Sequence, residues 1–321
     1  LYFYGQNYYL SIPETSMIAG GFSLFGISDS PVKLTMLLLW TIGVIFFYKT
    51  LKSLDEKGTY LPLLITLLLI VSPAWAAWSM KARGGYLSAF TLSNIILYCS
   101  FSKATTQKHF TWFCIGILLF LVYKCQPLWL PPLMPLLCYA LWKTHFLKNT
   151  GMLLAGVCIM FTCFYFLQNK TNNFWQPEVF NLQVHPQHLT GFMYNAGHGF
   201  YYLHFLYEAP RANQAFSISV IVFLVSLPAL MLYYVFTTAR QKALFILSCF
   251  SVFTIIGYLC FMNPPVIPRY ALPLTIAILF SLFVLLRDIQ TQLKYALCIP
   301  WIIIGIISLV NFKNYSFMPV E

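Results

Sequence analysis

Runs of about twenty consecutive apolar residues recur from one end of this chain to the other, and that repetition constrains its fold more than any motif does. A helix of about twenty residues rises about 30 Å, the thickness of the hydrocarbon layer of a bilayer. Such runs fall at roughly 33–50, 60–78, 86–101, 110–124, 127–142, 150–168, 215–236, 243–262, 271–287 and 295–312. The pair 110–124 and 127–142 is short and interrupted by Pro127, Pro131 and Pro132, so it reads either as two tilted helices or as one re-entrant element. Only 8% of the residues are charged and 60% are hydrophobic, whereas soluble domains carry about 25% charged residues. Short alternating strands of the kind a β-barrel needs are absent. The expectation is an all-α polytopic membrane protein, with residues 1–321 forming one domain and two elaborated outer segments, 1–32 and 169–214.

The orientation of such a bundle is set by its connections. Lys49, Lys52 and Lys57, Lys103 and Lys108, Lys143 and Lys148, Arg240 and Lys242, and Arg287 and Lys294 occupy alternate connections. Loops rich in Lys and Arg stay on the cytoplasmic side, so the connections between them face outward. The formal charge of +11 is thus explained by topology, and no nucleic-acid partner is implied. The nine cysteines lie mostly within apolar runs without a CxxC pair, which suits small buried side chains.

Against this trend, Lys81, Arg83, Lys124, Arg211 and Arg269 fall on the outward side. Cations at the depth of lipid headgroups pair strongly with phosphate oxygens. Gly84 and Gly85 beside Arg83 would let the backbone approach such a ligand, and Tyr86 and Tyr270 could each add a hydroxyl. Pro13 and Glu14 open a short helix in the aromatic segment 1–32. Glu14 is the best placed outward carboxylate for an acceptor; alternatively it is a favourable charge in a first helical turn. Asp29 reads as a turn or cap residue. The segment 169–214 holds His185, His188, His198 and His204 at spacings that fit no standard zinc site, so no metal-ligating residues are assigned. No nucleotide-binding motif occurs; no cofactor is firmly indicated, and a divalent metal is left open.

The segments YGQNYYLSIPE (4–14), ARGGY (82–86) and PRYALPL (268–274), in this order, resemble the polyprenyl-phosphate-sugar-dependent glycosyltransferases of the GT-C fold. The nearest likeness is to the bacterial dolichyl-phosphate-mannose protein mannosyltransferase-like group. The resemblance implies a GT-C-type transmembrane bundle in the inner membrane. Such an enzyme transfers a sugar from a polyprenyl-phosphate donor to a lipid, glycan or protein acceptor at the periplasmic face. It also implies a catalytic aspartate and a transmembrane helix upstream of Leu1. On this reading Lys81, Arg83 and Arg269, supported by Lys124 and Arg211, hold the donor phosphate, and Gln6, Tyr8, Tyr86, His198 and Tyr270 line the substrate pocket. An O-antigen ligase or polymerase would share the long outer loop and outward arginines. A lipid-linked sugar transporter would instead show mid-span charges and a repeat of equal halves, and the sequence has neither.

Overall fold

The computed structural model describes residues 11–72, 75, 85–171, 222, 225–233, 236, 242–261, 272–287 and 291–311. Among them the chain is helical throughout, with no strand. The helices are α1 (Ile12–Phe25), α2 (Asp29–Leu54), α3 (Leu61–Ile70), α4 (Tyr86–Phe101), the short α5 (Lys103–Thr106), α6 (His109–Cys125), α7 (Leu130–Trp142), α8 (Phe146–Thr171), α9 (Lys242–Phe261), α10 (Leu272–Arg287) and α11 (Thr291–Asn311). Two of them, α2 and α8, are long and apolar enough to cross a membrane.

The helix boundaries follow from local chemistry. Pro13 sits in the first turn of α1, where its missing N–H costs nothing. Asp29 lies in the first turn of α2, with Ser28 at the cap position. The turn after α2 is built on Asp55, whose carboxylate accepts from Thr59 N–H at 2.6 Å and Thr59 Oγ1 at 2.9 Å. α3 ends at Ile70, and of the rest of the apolar run expected to reach residue 78 the structure describes Val71, Ser72 and Trp75, the last of them helical. The break at Ser72 falls just before Pro73, and proline pushes the residue before it out of the α region. Likewise α6 ends where Gln126, extended, precedes Pro127. Pro127–Trp129 then forms a 3₁₀ turn into α7, so 110–142 is two helices joined by that turn.

Contacts fix the directions of the helices. Thr91 Oγ1 donates to Leu39 O at 2.7 Å, and the Phe46 and Tyr98 rings meet at 5.4 Å, so α2 and α4 run parallel. Gly85 abuts Cys125 at one end of the bundle, while Trp112 Nε1 donates to Thr106 O near the other, so α6 returns antiparallel to α4. His109 contacts Asn149 and Phe120 contacts Phe164, so α6 and α8 run parallel. The connections carrying Lys49, Lys52, Lys103, Lys108, Lys143 and Lys148 therefore gather at one end, the basic end. Glu14, Gly85, Tyr86 and Lys124 gather at the other.

Where α6 crosses α8 the two backbones touch. A Cβ on Gly116 would collide with Leu153 O, and one on Gly156 with Phe113 O. Gly156→Ala is therefore expected to cost about 1–3 kcal/mol, the range for overpacking a tight contact. Thermal unfolding of the detergent-solubilised protein checks this, with exposed Gly151→Ala in the same helix as the reference.

Two topological markers turn out to be buried caps. Arg287, 4% exposed, donates from Nη1 to Leu54 O at 3.1 Å, at the C-terminus of α2. Lys294, 1% exposed, donates from Nζ to Arg287 O at 2.8 Å, at the C-terminus of α10. Cations at these carbonyl ends satisfy backbone acceptors and complement the helix dipoles. Lys294→Met keeps the stem and removes the donor. It should destabilise the fold by about 1–3 kcal/mol, the usual cost of orphaning a buried acceptor. Denaturant titration would read the loss.

Candidate functional site

The end of the bundle opposite the basic end is built from three elements: the first turn of α1, the start of α4 and the C-terminus of α6. Glu14 is held there at 3% exposure. Its Oε2 accepts from Ser11 Oγ at 3.3 Å and from Ser88 Oγ at 3.5 Å, and the two hydroxyls lie 3.2 Å apart. Cys125 Sγ lies 3.8 Å from Ser11 Oγ and closes the cluster. Burial pushes the Glu14 carboxyl up to about 7, and the two serine hydroxyls only partly offset that rise. A carboxyl poised there can take or give a proton near neutral pH.

The cluster exists because α4 approaches α6 so closely. Gly85, the N-cap of α4, has φ +68°, and a Cβ there would stand 2.6 Å from Cys125 O and 3.0 Å from Ser11 Cβ. The expectation that Gly85 opens the backbone to a ligand is thus corrected. Its missing side chain admits the α6 carbonyl and Ser11, and so brings Ser88 within reach of Glu14. Any side chain at position 85 would meet both the positive φ and that carbonyl. Gly85→Ala should therefore lower the thermal midpoint and, by parting α4 from α1, bring the Glu14 titration down toward the ordinary carboxylate range. Carbonyl-stretch infrared spectra over pH 4–9 would show that movement.

Below the cluster lies an aromatic floor. Trp40 stacks on Trp75 at 5.2 Å and on Phe90 at 5.0 Å, and Trp129 closes against Trp75 at 6.0 Å and Phe90 at 5.9 Å. Trp75, Phe90 and Trp129 are buried. Large rings packed in this way hold α2, α4 and the turn before α7 in register beneath Glu14.

Three of the residues assigned to catalysis, phosphate binding or the pocket fall among those described. Glu14 sits in the cluster. Tyr86 is buried at 4% exposure in the first turn of α4, so its hydroxyl is inside the bundle rather than on an aromatic belt. Lys124 is adjacent in sequence to Cys125, but its Nζ lies over the rings of Phe120 (5.6 Å), Tyr123 (5.5 Å) and Phe164 (5.8 Å), on the α8 side of α6. That cation–π cage is a feature the sequence reading missed. Gln6, Tyr8, Lys81, Arg83, His198, Arg211, Arg269 and Tyr270 lie outside the described residues, as does most of 169–214. Among the described residues no group of three or more His, Cys, Asp or Glu could hold a metal ion.

Ser11, Ser88 and Cys125 were also missed. Ser88 and Cys125 lie 77 and 114 residues beyond Ser11 along the chain, and nothing local marks them. Comparison with family models, curated proteins and solved structures finds no match, so the site is argued from this chain alone.

Proposed function

We propose that this chain is an integral membrane glycosyltransferase that moves a sugar from a polyprenyl-phosphate donor to a lipid, glycan or protein acceptor. The reading places the Glu14 end at the periplasmic or luminal face. The observation that carries it is the buried, proton-poised Glu14 carboxyl joined to the start of α4, directly after the Lys81–Arg83–Gly84–Gly85 segment.

The membrane placement is supported by where the apolar side chains point. The apolar windows of α2 and α8 are only 33% and 11% buried, which does not suit the core helix of a soluble protein. Leu34, Leu37, Leu38, Leu154, Ile159 and Phe161 are exposed along them. Water would oppose that surface; hydrocarbon would solvate it. The gathering of lysines at the other end fits a cytoplasmic face.

In the transfer itself, the bond between the anomeric carbon and the carrier phosphate breaks while a bond from that carbon to the acceptor hydroxyl oxygen forms. The acceptor's proton passes to Glu14, and polyprenyl phosphate departs with its negative charge held by Lys81, Arg83 and Arg269. Charge stabilisation of the leaving phosphate and proton removal from the acceptor are the two demands of such a step. Ser11 and Ser88 hold the carboxylate toward the acceptor side.

The test is reconstitution in vesicles with a polyprenyl-phosphate sugar and a membrane extract as acceptor, following release of free polyprenyl phosphate. Release coupled to sugar appearing on an acceptor supports the reading. No release, with turnover of a pyrophosphate-linked glycan, would replace it with a ligase. Sugar lipid crossing the bilayer intact would replace it with a transporter.

A further inference from the structure

The basic end carries a patch that the transfer reaction does not use. There α5 and the first turn of α6 bring Lys103, Lys108 and His109 beside the α7–α8 junction, which carries Lys143, His145 and Lys148. The junction is fixed. His109 Nδ1 and Asn149 Oδ1 are 2.8 Å apart, Asn149 Nδ2 donates to Thr144 Oγ1 at 2.8 Å, and the His109 and His145 ring centroids lie 5.8 Å apart. Asn149 is buried, while the four lysines and both histidines around it are exposed.

Charge at this patch is unbalanced. No Asp or Glu occurs anywhere between Lys57 and Pro177, so α3 through α8 supply no acid to it. On its N-terminal side the nearest acids in sequence are Asp55, engaged with Thr59, and Glu56, both on the α2–α3 turn. Lys143 is tethered over Trp142 at 5.4 Å. Lys103, Lys108 and Lys148 have no ion pair or ring partner among the described residues, unlike Lys49, which lies over Phe46 at 5.5 Å and Tyr98 at 5.9 Å. Two helices, α6 and α8, begin here and two, α4 and α7, end here, so their dipoles offset and the lysines set the charge of the patch.

The surroundings of the patch are apolar. Phe110, Trp142, Phe146 and Leu147 are 67%, 62%, 52% and 83% exposed. Cations flanked by exposed rings and aliphatic chains match a ligand with an anionic head and a hydrocarbon body.

We propose that Lys103, Lys108 and Lys148, with Lys143 at the rim, bind the headgroup phosphate of an anionic glycerophospholipid of the cytoplasmic leaflet, whose acyl chains lie against Phe110, Phe146 and Leu147. The proposal rests on the membrane placement given above but not on the transfer reaction. Charge complementarity selects this occupant: a zwitterionic lipid would leave the lysines unneutralised, and an acidic protein would not use the apolar rim.

The experiment is native mass spectrometry of the full chain in mild detergent with phosphatidylglycerol or phosphatidylcholine added. The wild type should retain phosphatidylglycerol preferentially. The K103Q/K108Q/K148Q variant should lose roughly a hundredfold in that retention, at about a factor of five for each lysine. The K49Q/K52Q variant, which removes two charges from the same end, should keep most of it. Equal loss in both variants, or no loss in the first, overturns the site. Alkaline extraction of native membranes runs beside it: release of the chain into the supernatant overturns the membrane placement and the lipid site together. Retention of the lipid with no sugar transfer in vesicles would leave the lipid site standing and remove only the glycosyltransferase reading.

Discussion

Glu14→Gln is expected to stabilise the protein at pH 8, to leave its stability unchanged near pH 4, and to remove sugar transfer at pH 8, where the wild-type carboxylate is ionised. The folded-state carboxyl titrates near 7, against 4.5 for an ordinary glutamate. The native chain therefore binds this proton more tightly than the unfolded chain does. Its contribution to stability is complete below about 4.5 and is lost as pH rises through about 7. The loss is about 3 kcal/mol, from a displacement of roughly two and a half pH units at about 1.4 kcal/mol each. Gln cannot ionise and escapes it, so the melting midpoint at pH 8 should rise by about 5 °C.

Catalysis demands the opposite protonation state. A base must be ionised to accept a proton, so wild-type kcat/KM should climb tenfold per pH unit below about 7 and level above it. The variant, lacking the base, should fall by about 10²–10⁴. The two halves separate the possible roles of this residue. A stabilised Gln variant that still transfers sugar would mark Glu14 as packing, and the acceptor would need another base. A Gln variant destabilised at every pH would mean that the serine hydroxyls hold a charge rather than a neutral acid.

Much of the scaffold around this site was legible in the sequence. Apolar run lengths placed the helices, and the alternation of lysine-bearing connections placed their ends, because both depend on properties that add along the chain. The end of α3 was legible in principle, since Pro73 follows Ile70 by three residues. The cluster was less so. Glu14 could be picked out as an acid beside a helix-opening proline. The burial that keeps it neutral, however, comes from α4 and α6 closing over α1: Ser88, 74 residues away, reaches the carboxyl because Gly85 admits Cys125 O. Lys124 illustrates the same limit. In sequence it is one more outward cation; in the fold its position on α6 turns the ammonium toward Phe164 on α8, away from the Ser11 side. Arg287 and Lys294 likewise obey the charge rule while serving as buried caps, a role that only the meeting of α2, α10 and α11 creates.

Arg83→Ala is expected to reduce release of polyprenyl phosphate by roughly 30- to 1,000-fold, the equivalent of about 2–4 kcal/mol for one charge-assisted phosphate contact in a water-poor site. The expectation comes from position. Arg83 precedes by two residues the glycine that locks α4 against α1 and α6, so it leads into the buried cluster around Glu14. Arg269 leads into α10 in the same way, three residues ahead of Leu272. The loss should fall on kcat more than on KM, because charge on the phosphate grows as the bond to the sugar breaks. Arg83→Lys separates charge from shape: a guanidinium can pair two phosphate oxygens at once, an ammonium acts as a point charge, and partial recovery in the lysine variant would identify charge as the larger part. An unfolded Arg83→Ala protein would confuse the result, so the melting midpoint is measured beside the rate. With the midpoint unchanged and release undiminished, the donor phosphate is held elsewhere, and the cations leading into α4 are interfacial charges alone. With release lost and the Glu14 titration unmoved, the two halves of the site are independent: one set of residues neutralises the departing phosphate and a separate carboxyl deprotonates the acceptor.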